Sequence, residues 1–173
     1  GTAFNRGNIE SQIPFGDVAV GRSNYFFRFD QVNGYFRSSA FSTDGRYYYF
    51  GGYYNDRVWR IELNTPWTID DVNVGLATTS SVGVLGISSY YVGSQEGNMY
   101  GMNFNNDGTK MYIVGANHYV YQYNIPSSNK WNITSSVYST SFYVANDSEG
   151  TTPTSVAFST DGKRMYVTSQ TNK

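Results

Sequence analysis

The chain has no cysteine, which excludes disulfides, thiolate metal sites and a cysteine nucleophile. It has a single histidine, so imidazole chemistry has one candidate, His118. Charged residues make up only 14% of 173 residues and the net charge is -1. That balance gives no electrostatic case for nucleic acid or for an anionic membrane. No apolar run approaches the length that spans a bilayer, and no signal-peptide pattern opens the chain.

Aromatic residues are abundant, at 18%, and 17 residues are tyrosine. This suits a β-rich protein of many short strands. Gly, Ser, Thr and Asn fill the spaces between apolar runs, as turns require.

One phrase organises the sequence. Met102–Gly115 reads as a strand, a tight turn at Asn105-Asn-Asp-Gly108 and a second strand. It occurs earlier as Ala40–Gly52, around Ser42-Thr-Asp-Gly45, and later as Ala157–Thr168, around Thr160-Asp-Gly162. Three copies of one hairpin indicate a repeat architecture. In the Asp-Gly pairs, Gly supplies a positive φ and Asp bonds back to the local backbone. Further strands are expected at Val58–Leu63 and Val120–Ile125, and fourth strands at Ser89–Val92 and Ser141–Val144. Phe41 precedes Trp67 by 26 residues and Phe104 precedes Trp131 by 27, so the front half of the unit has nearly fixed length. The Gly/Ser/Thr-rich run 75–89 reads as a loop insertion in the first unit.

Met111–Val114 and Tyr47–Phe50 are apolar on both faces, as strands buried on both faces are. A sandwich would wet one face of each sheet and show stricter alternation. The expected fold is therefore all-β: a β-propeller of four-stranded antiparallel blades. Residues 1–23 read as a lead-in or attachment segment and 24–173 as a partial propeller. Its units fall near 36–92, 98–144 and 153–173, the last one truncated. Propellers close with about four to eight blades, and here there is room for 2.5 to 3. The expectation is a segment of a longer polypeptide, or several copies completing a ring.

The pattern F-S-x-D-G-x-x-M-Y-V, followed by V-Y-Q-Y and a later W-x-I, is carried by Phe104, Asp107, Gly108, Met111, Tyr112, Val120, Tyr121, Gln122, Tyr123 and Trp131. Phe158, Asp161, Gly162, Met165, Tyr166 and Val167 carry it again. It resembles the propeller repeats of structural proteins of marine bacteriophages and, more loosely, those of surface-layer proteins. The first unit departs from it with Tyr48 in place of Met. The resemblance implies a non-enzymatic virion component of tail or surface. Its expected partners are other virion or surface-layer subunits and a host glycan, in a larger assembly. The alternatives are a surface-layer or adhesion protein on the cell surface, and a propeller glycan hydrolase or lactonase-like enzyme.

No catalytic, cofactor or metal constellation is legible. No G-x-S-x-G elbow accompanies His118. The run Asn103–Gly108 lacks the glutamate that an EF-hand loop needs, because position 114 is Val. The Asp-Gly pairs are adjacent with no Trp following, unlike a sialidase Asp-box. Asp70-Asp71 and Asp147 with Glu149 are the carboxylate pairs for glycoside cleavage, set against a reading as solvated loops. Tyr53, Tyr54, Tyr90 and Tyr119 are the loop tyrosines suited to stacking on a sugar or a partner. Asn132 and Asn146 fit the glycosylation sequon.

Overall fold

The computed structural model describes residues 28–29, 35–53, 56–69, 73–74, 84–144 and 151–171. The lead-in segment 1–23 lies outside the described residues. The chain is all-β, and the described residues form two four-stranded antiparallel sheets and two two-stranded sheets, one antiparallel and one parallel. The strands are β1 Arg28–Phe29, β2 Tyr35–Phe41, β3 Tyr47–Tyr53, β4 Arg57–Leu63, β5 Asn73–Val74 and β6 Val84–Tyr91. They continue with β7 Met99–Phe104, β8 Lys110–Gly115, β9 Tyr119–Asn124, β10 Val137–Tyr143, β11 Thr151–Phe158 and β12 Met165–Thr171. Sheet order is β2-β3-β4-β6, then β7-β8-β9-β10, then β11-β12, each a meander, while β1 pairs parallel with β5.

The three Asp-Gly turns share one construction. Gly45, Gly108 and Gly162 have φ of 70°, 69° and 69°. The Asp44 carboxylate accepts from the Ser42 hydroxyl at 2.6 Å and from the Arg46 N–H at 3.1 Å. Asp161 accepts from the Ser159 hydroxyl at 2.5 Å and the Lys163 N–H at 3.0 Å. Asp107 accepts from the Thr109 hydroxyl at 2.6 Å and the Thr109 N–H at 3.1 Å.

The fixed interval to tryptophan has a structural cause. The backbone N–H of Trp67 donates to the Gly45 carbonyl and that of Trp131 to the Gly108 carbonyl, both at 2.9 Å. Both tryptophans adopt positive φ, 64° and 65°. Each lays its indole on the turn glycine, so that a Cβ on Gly45 or Gly108 would come within 2.3 Å of the ring. The tryptophan is thus the lid of its own unit's hairpin turn.

Between the first two sheets lies the main core. Tyr49 and Val58 of the first sheet meet Met102, Phe104, Met111, Ile113, Tyr121 and Tyr123 of the second, with Trp131 and Ile133 closing one end. On the opposite face of the first sheet, Phe50, Ile61 and Leu63 gather Phe41, Trp59, Val84 and Ile87. Val114 and Val120 meet Val156 of the third sheet. Both faces of the central sheet are therefore buried, which explains strands without alternation.

One expectation is corrected. The run 75–89, read as loop, ends in strand, because β6 begins at Val84 and pairs along β4 from Leu63 to Arg57. Val84 and Ile87 supply the apolar contacts that hold it there.

Two outcomes test this account. Ala at Gly162, where an added Cβ meets nothing within 4 Å, is expected to cost only the left-handed backbone penalty of roughly 1–2 kcal/mol. Ala at Gly108 adds a collision with Trp131 and is expected to cost about 1–3 kcal/mol more, measured by chemical denaturation.

The second concerns acid. The hydroxyl partners, chiefly Ser42, Thr109 and Ser159, hold Asp44, Asp107 and Asp161 below the usual carboxylate range. Depressed folded values mean stabilisation that is complete above the unfolded value of 3.8 and lost as pH falls through the folded ones. The stability gap between the chain and its triple Asp→Ala variant is therefore expected at neutral pH and to narrow below pH 3.8.

Candidate functional site

The first strands of the three sheets, β2, β7 and β11, lie side by side. Each is interrupted by a bulge in its pairing with the second strand. The register skips one residue between Phe36 and Ser38, between Met99 and Gly101, and between Pro153 and Ser155. The skipped residues are Arg37, Tyr100 and Thr154. Each stands four positions before its unit's turn phenylalanine, Phe41, Phe104 or Phe158. A bulge re-aims the side chain of the extra residue. Three bulges at one repeat position bring three different side chains to one place.

That place is an open cleft of about 410 Å³ lined by Arg37, Tyr100, Thr152, Thr154 and Gln170. Close approach of the strands depends on Gly101, where a Cβ would stand 2.7 Å from the Thr154 carbonyl oxygen. The Arg37 guanidinium carbon lies 4.8 Å from the centre of the Tyr100 ring and 5.9 Å from that of Tyr53. Contact with ring faces positions the cation without consuming its N–H donors. Among the described residues the ion pairs are Arg46 with Glu62 and Lys130 with Asp107, so no described carboxylate pairs with Arg37. Thr154 donates its hydroxyl to the Thr168 carbonyl at 3.2 Å. Among the described residues the lining thus offers one cation, hydroxyls and an amide, and no carboxylate or imidazole. Such a set is chemically suited to an anionic or polyhydroxylated molecule, because guanidinium N–H groups form charge-assisted bonds to carboxylate and phosphate.

The tyrosines singled out from the sequence fall in different surroundings. Tyr53 ends β3 beside Arg37, at the margin of the cleft. Tyr54 lies outside the described residues. Tyr90 packs edge-on against Tyr123, ring centres 5.7 Å apart, and burial raises its hydroxyl pKa. Tyr119 packs between Tyr121 and Tyr143 against the main core. Asn132 caps a short 3-10 turn, accepting from the Thr134 N–H at 3.2 Å and hydroxyl at 2.8 Å. Asn146, Asp70, Asp71, Asp147 and Glu149 lie outside the described residues. His118 sits at a positive φ of 64° in the β8–β9 turn, its carbonyl accepting from the Val144 N–H. Among the described residues no three Asp, Glu or His side chains are placed to hold a metal ion, and no helix is long and apolar enough to cross a membrane.

Sequence reasoning missed Arg37, Tyr100 and Thr154. Aligning the repeats on phenylalanine puts them in one column, and that column was the available signal. It also missed Glu96, which is fully buried in the connection between β6 and β7. Its two carboxylate oxygens accept from the backbone N–H groups of Asn98 at 2.9 Å and Asn117 at 3.0 Å. Burial pushes its carboxyl above the usual range, against the pull of those N–H groups. Glu96 is thus a strut that ties the connection to the β8–β9 turn. Gln at this position would set an amide N–H₂ against a backbone N–H. It is expected to cost roughly 1–3 kcal/mol, read as a lowered melting temperature.

No family model matches the chain, and no curated protein matches it. The solved structures that resemble it include a proposed 6-phosphogluconolactonase from Bacteroides uniformis, with a TM-score of 0.51 and 16% identity. The match covers 81% of this chain and 35% of that one, so the chain spans about a third of that protein's length. At that identity the likeness is one of fold.

Proposed function

We propose that these sheets are blades of a β-propeller whose axial cleft binds a small anionic polyol of the sugar-acid or sugar-phosphate class. The observation that carries the reading is the set of three bulges that deliver Arg37, Tyr100 and Thr154 to one cleft. Sheets packed on both faces, with first strands adjacent, support the radial arrangement. Arg37 recognises the anionic group, while Thr152, Thr154 and Gln170 address hydroxyls. Tyr100 gives a ring face against which a pyranose or an open chain rests. The chain acts here by binding: the described lining residues are a cation, hydroxyls and an amide, groups that recognise a ligand.

A second reading is hydrolysis of a sugar lactone. It is favoured by the fold likeness to a protein named for 6-phosphogluconolactone. In that case a base comes from residues outside this lining. The virion reading rests on the repeat motif alone, and the comparisons favour the lactonase-like alternative over it.

Calorimetric titration with 6-phosphogluconate, gluconate and uncharged glucose separates the cases. Binding of the two anions and not of glucose is expected, with Arg37→Ala weakening it by about 10-fold or more, the value of one charged hydrogen bond. Equal affinity for glucose, or an unaffected Arg37→Ala variant, overturns the proposal. Acid release from the δ-lactone above the spontaneous rate, abolished by Arg37→Ala, establishes the hydrolytic reading instead.

A further inference from the structure

The first strand of the second sheet is clamped just ahead of its bulge. Met99 pairs with Gly115, and the next residue, Tyr100, is the one the register skips. Asn98, which precedes that pair, is held on several sides. Its N–H donates to one carboxylate oxygen of Glu96 at 2.9 Å. Its carbonyl accepts from the Ala116 N–H at 3.3 Å. It also bridges Tyr53, at the end of the first sheet. The other Glu96 oxygen accepts from the Asn117 N–H at 3.0 Å, and the Asn117 amide returns a bond to the Gln95 carbonyl at 2.8 Å. Gly115 makes room for the carboxylate, since a Cβ there would stand 2.5 Å from the Glu96 carboxyl carbon.

This clamp lies next to the cleft. Tyr100 comes two residues after Asn98, and Tyr53 is the bridge partner of Asn98. The rings of Tyr100 and Tyr53 are the two against which the Arg37 guanidinium rests, at 4.8 Å and 5.9 Å. A buried charge is an expensive way to join two turns, and an apolar filler would pack there without that cost. What a carboxylate adds is direction, because its N–H donors must meet it at defined distances and angles.

We propose that Glu96 is a positioning residue for the cleft: it sets the base of the β7 bulge, and with it the Tyr100 ring against which Arg37 is oriented. Its effect on ligand affinity rests on the reading of the cleft as an anion site. Its effect on Arg37 does not.

Protonation turns one of the two acceptor oxygens into a donor, so the clamp is complete only while Glu96 is ionised. Burial, the largest influence, raises its pKa above the ordinary 4.5, against the pull of the Asn117 and Asn98 N–H groups. The titratable groups around it are Asp56, whose like charge also opposes ionisation, the phenols of Tyr121 and Tyr123, raised chiefly by their own burial, and His118, beside Asn117 in the turn. All of these remain in Glu96→Gln, so a pH step that disappears in that variant belongs to Glu96.

Two measurements on the folded chain test the proposal, with Gly108→Ala as the control that strains the same sheet at the far end of β7. In NMR spectra the Arg37 Nε–H resonance is expected to move toward that of free arginine in Glu96→Gln and to stay in place in Gly108→Ala. In calorimetry Glu96→Gln is expected to weaken gluconate binding about 10-fold, as the loss of one oriented group does, while Gly108→Ala binds like the parent. The parent's affinity is expected to fall as pH drops through the raised Glu96 value toward 4.5, and that of Glu96→Gln to stay flat across the same window. An Arg37 signal that does not move in Glu96→Gln, or that moves equally in Gly108→Ala, overturns the proposal. So does a parent that binds gluconate with the same affinity throughout that window. A parent that binds no gluconate, with the Arg37 signal still displaced by Glu96→Gln, overturns the anion reading of the cleft and supports the positioning role of Glu96.

Discussion

A tyrosine ring on the neighbouring phenylalanine is the contact on which the arrangement of sheets depends. A four-stranded sheet with apolar side chains on both faces is not stable in water by itself, and each face needs a cover. Tyr49 is such a cover. It is fully buried, lies against Phe104, and spends its hydroxyl on the Trp131 carbonyl. An aromatic pair of this kind contributes about 0.5–1.5 kcal/mol beyond the area it buries. The hydroxyl bond adds direction, because the Trp131 carbonyl belongs to the lid over the Asp-Gly turn. Lid, turn and neighbouring sheet are thereby fixed by one residue, and Arg60 approaches the same carbonyl at 3.4 Å.

The bulges follow from that packing. With first strands side by side and Gly101 close to the Thr154 carbonyl, their side chains have little room in regular register. An extra residue in each strand turns one side chain away from the packed layers and into the cleft. The cost is a missing ladder bond at each bulge. The gain is a row of side chains presented on rigid strands, which position groups better than loops do.

Much of the fold was legible in the sequence. Asp-Gly turns, paired phenylalanine and tryptophan intervals and runs such as Met111–Val114 announced hairpins buried on both faces. The start of the fourth strand, Val84–Tyr91, was obscured because it continues a Gly/Ser/Thr-rich run, 75–83, and itself holds Gly86, Ser88 and Ser89, so it reads as loop until β4 is there to pair with it. Little of the site was legible. Arg37, Tyr100 and Thr154 share no chemistry, so no motif marks them, and a bulge is a property of pairing between strands. Tyrosine content pointed to binding surfaces at Tyr90 and Tyr119. Their rings pack against Tyr123 and against Tyr121 and Tyr143, because in a chain with 17 tyrosines the ring is the ordinary filler between sheets.

The division of labour within one repeat then has a physical logic. The turn phenylalanine is the same in all three units, Phe41, Phe104 and Phe158, and so are the aspartate and glycine that follow it. These residues carry contacts that every sheet must make, so any change would open a gap between neighbours. Four positions earlier the units differ as widely as side chains can: a cation, a phenol and a hydroxyl. A position that faced a packed layer could not vary so freely without a cavity or a clash. Only at a boundary with open space can Arg, Tyr and Thr substitute for one another while the frame stays unchanged. The diversity of that one column, set against the constancy of its neighbour, is the mark of a position that faces open space.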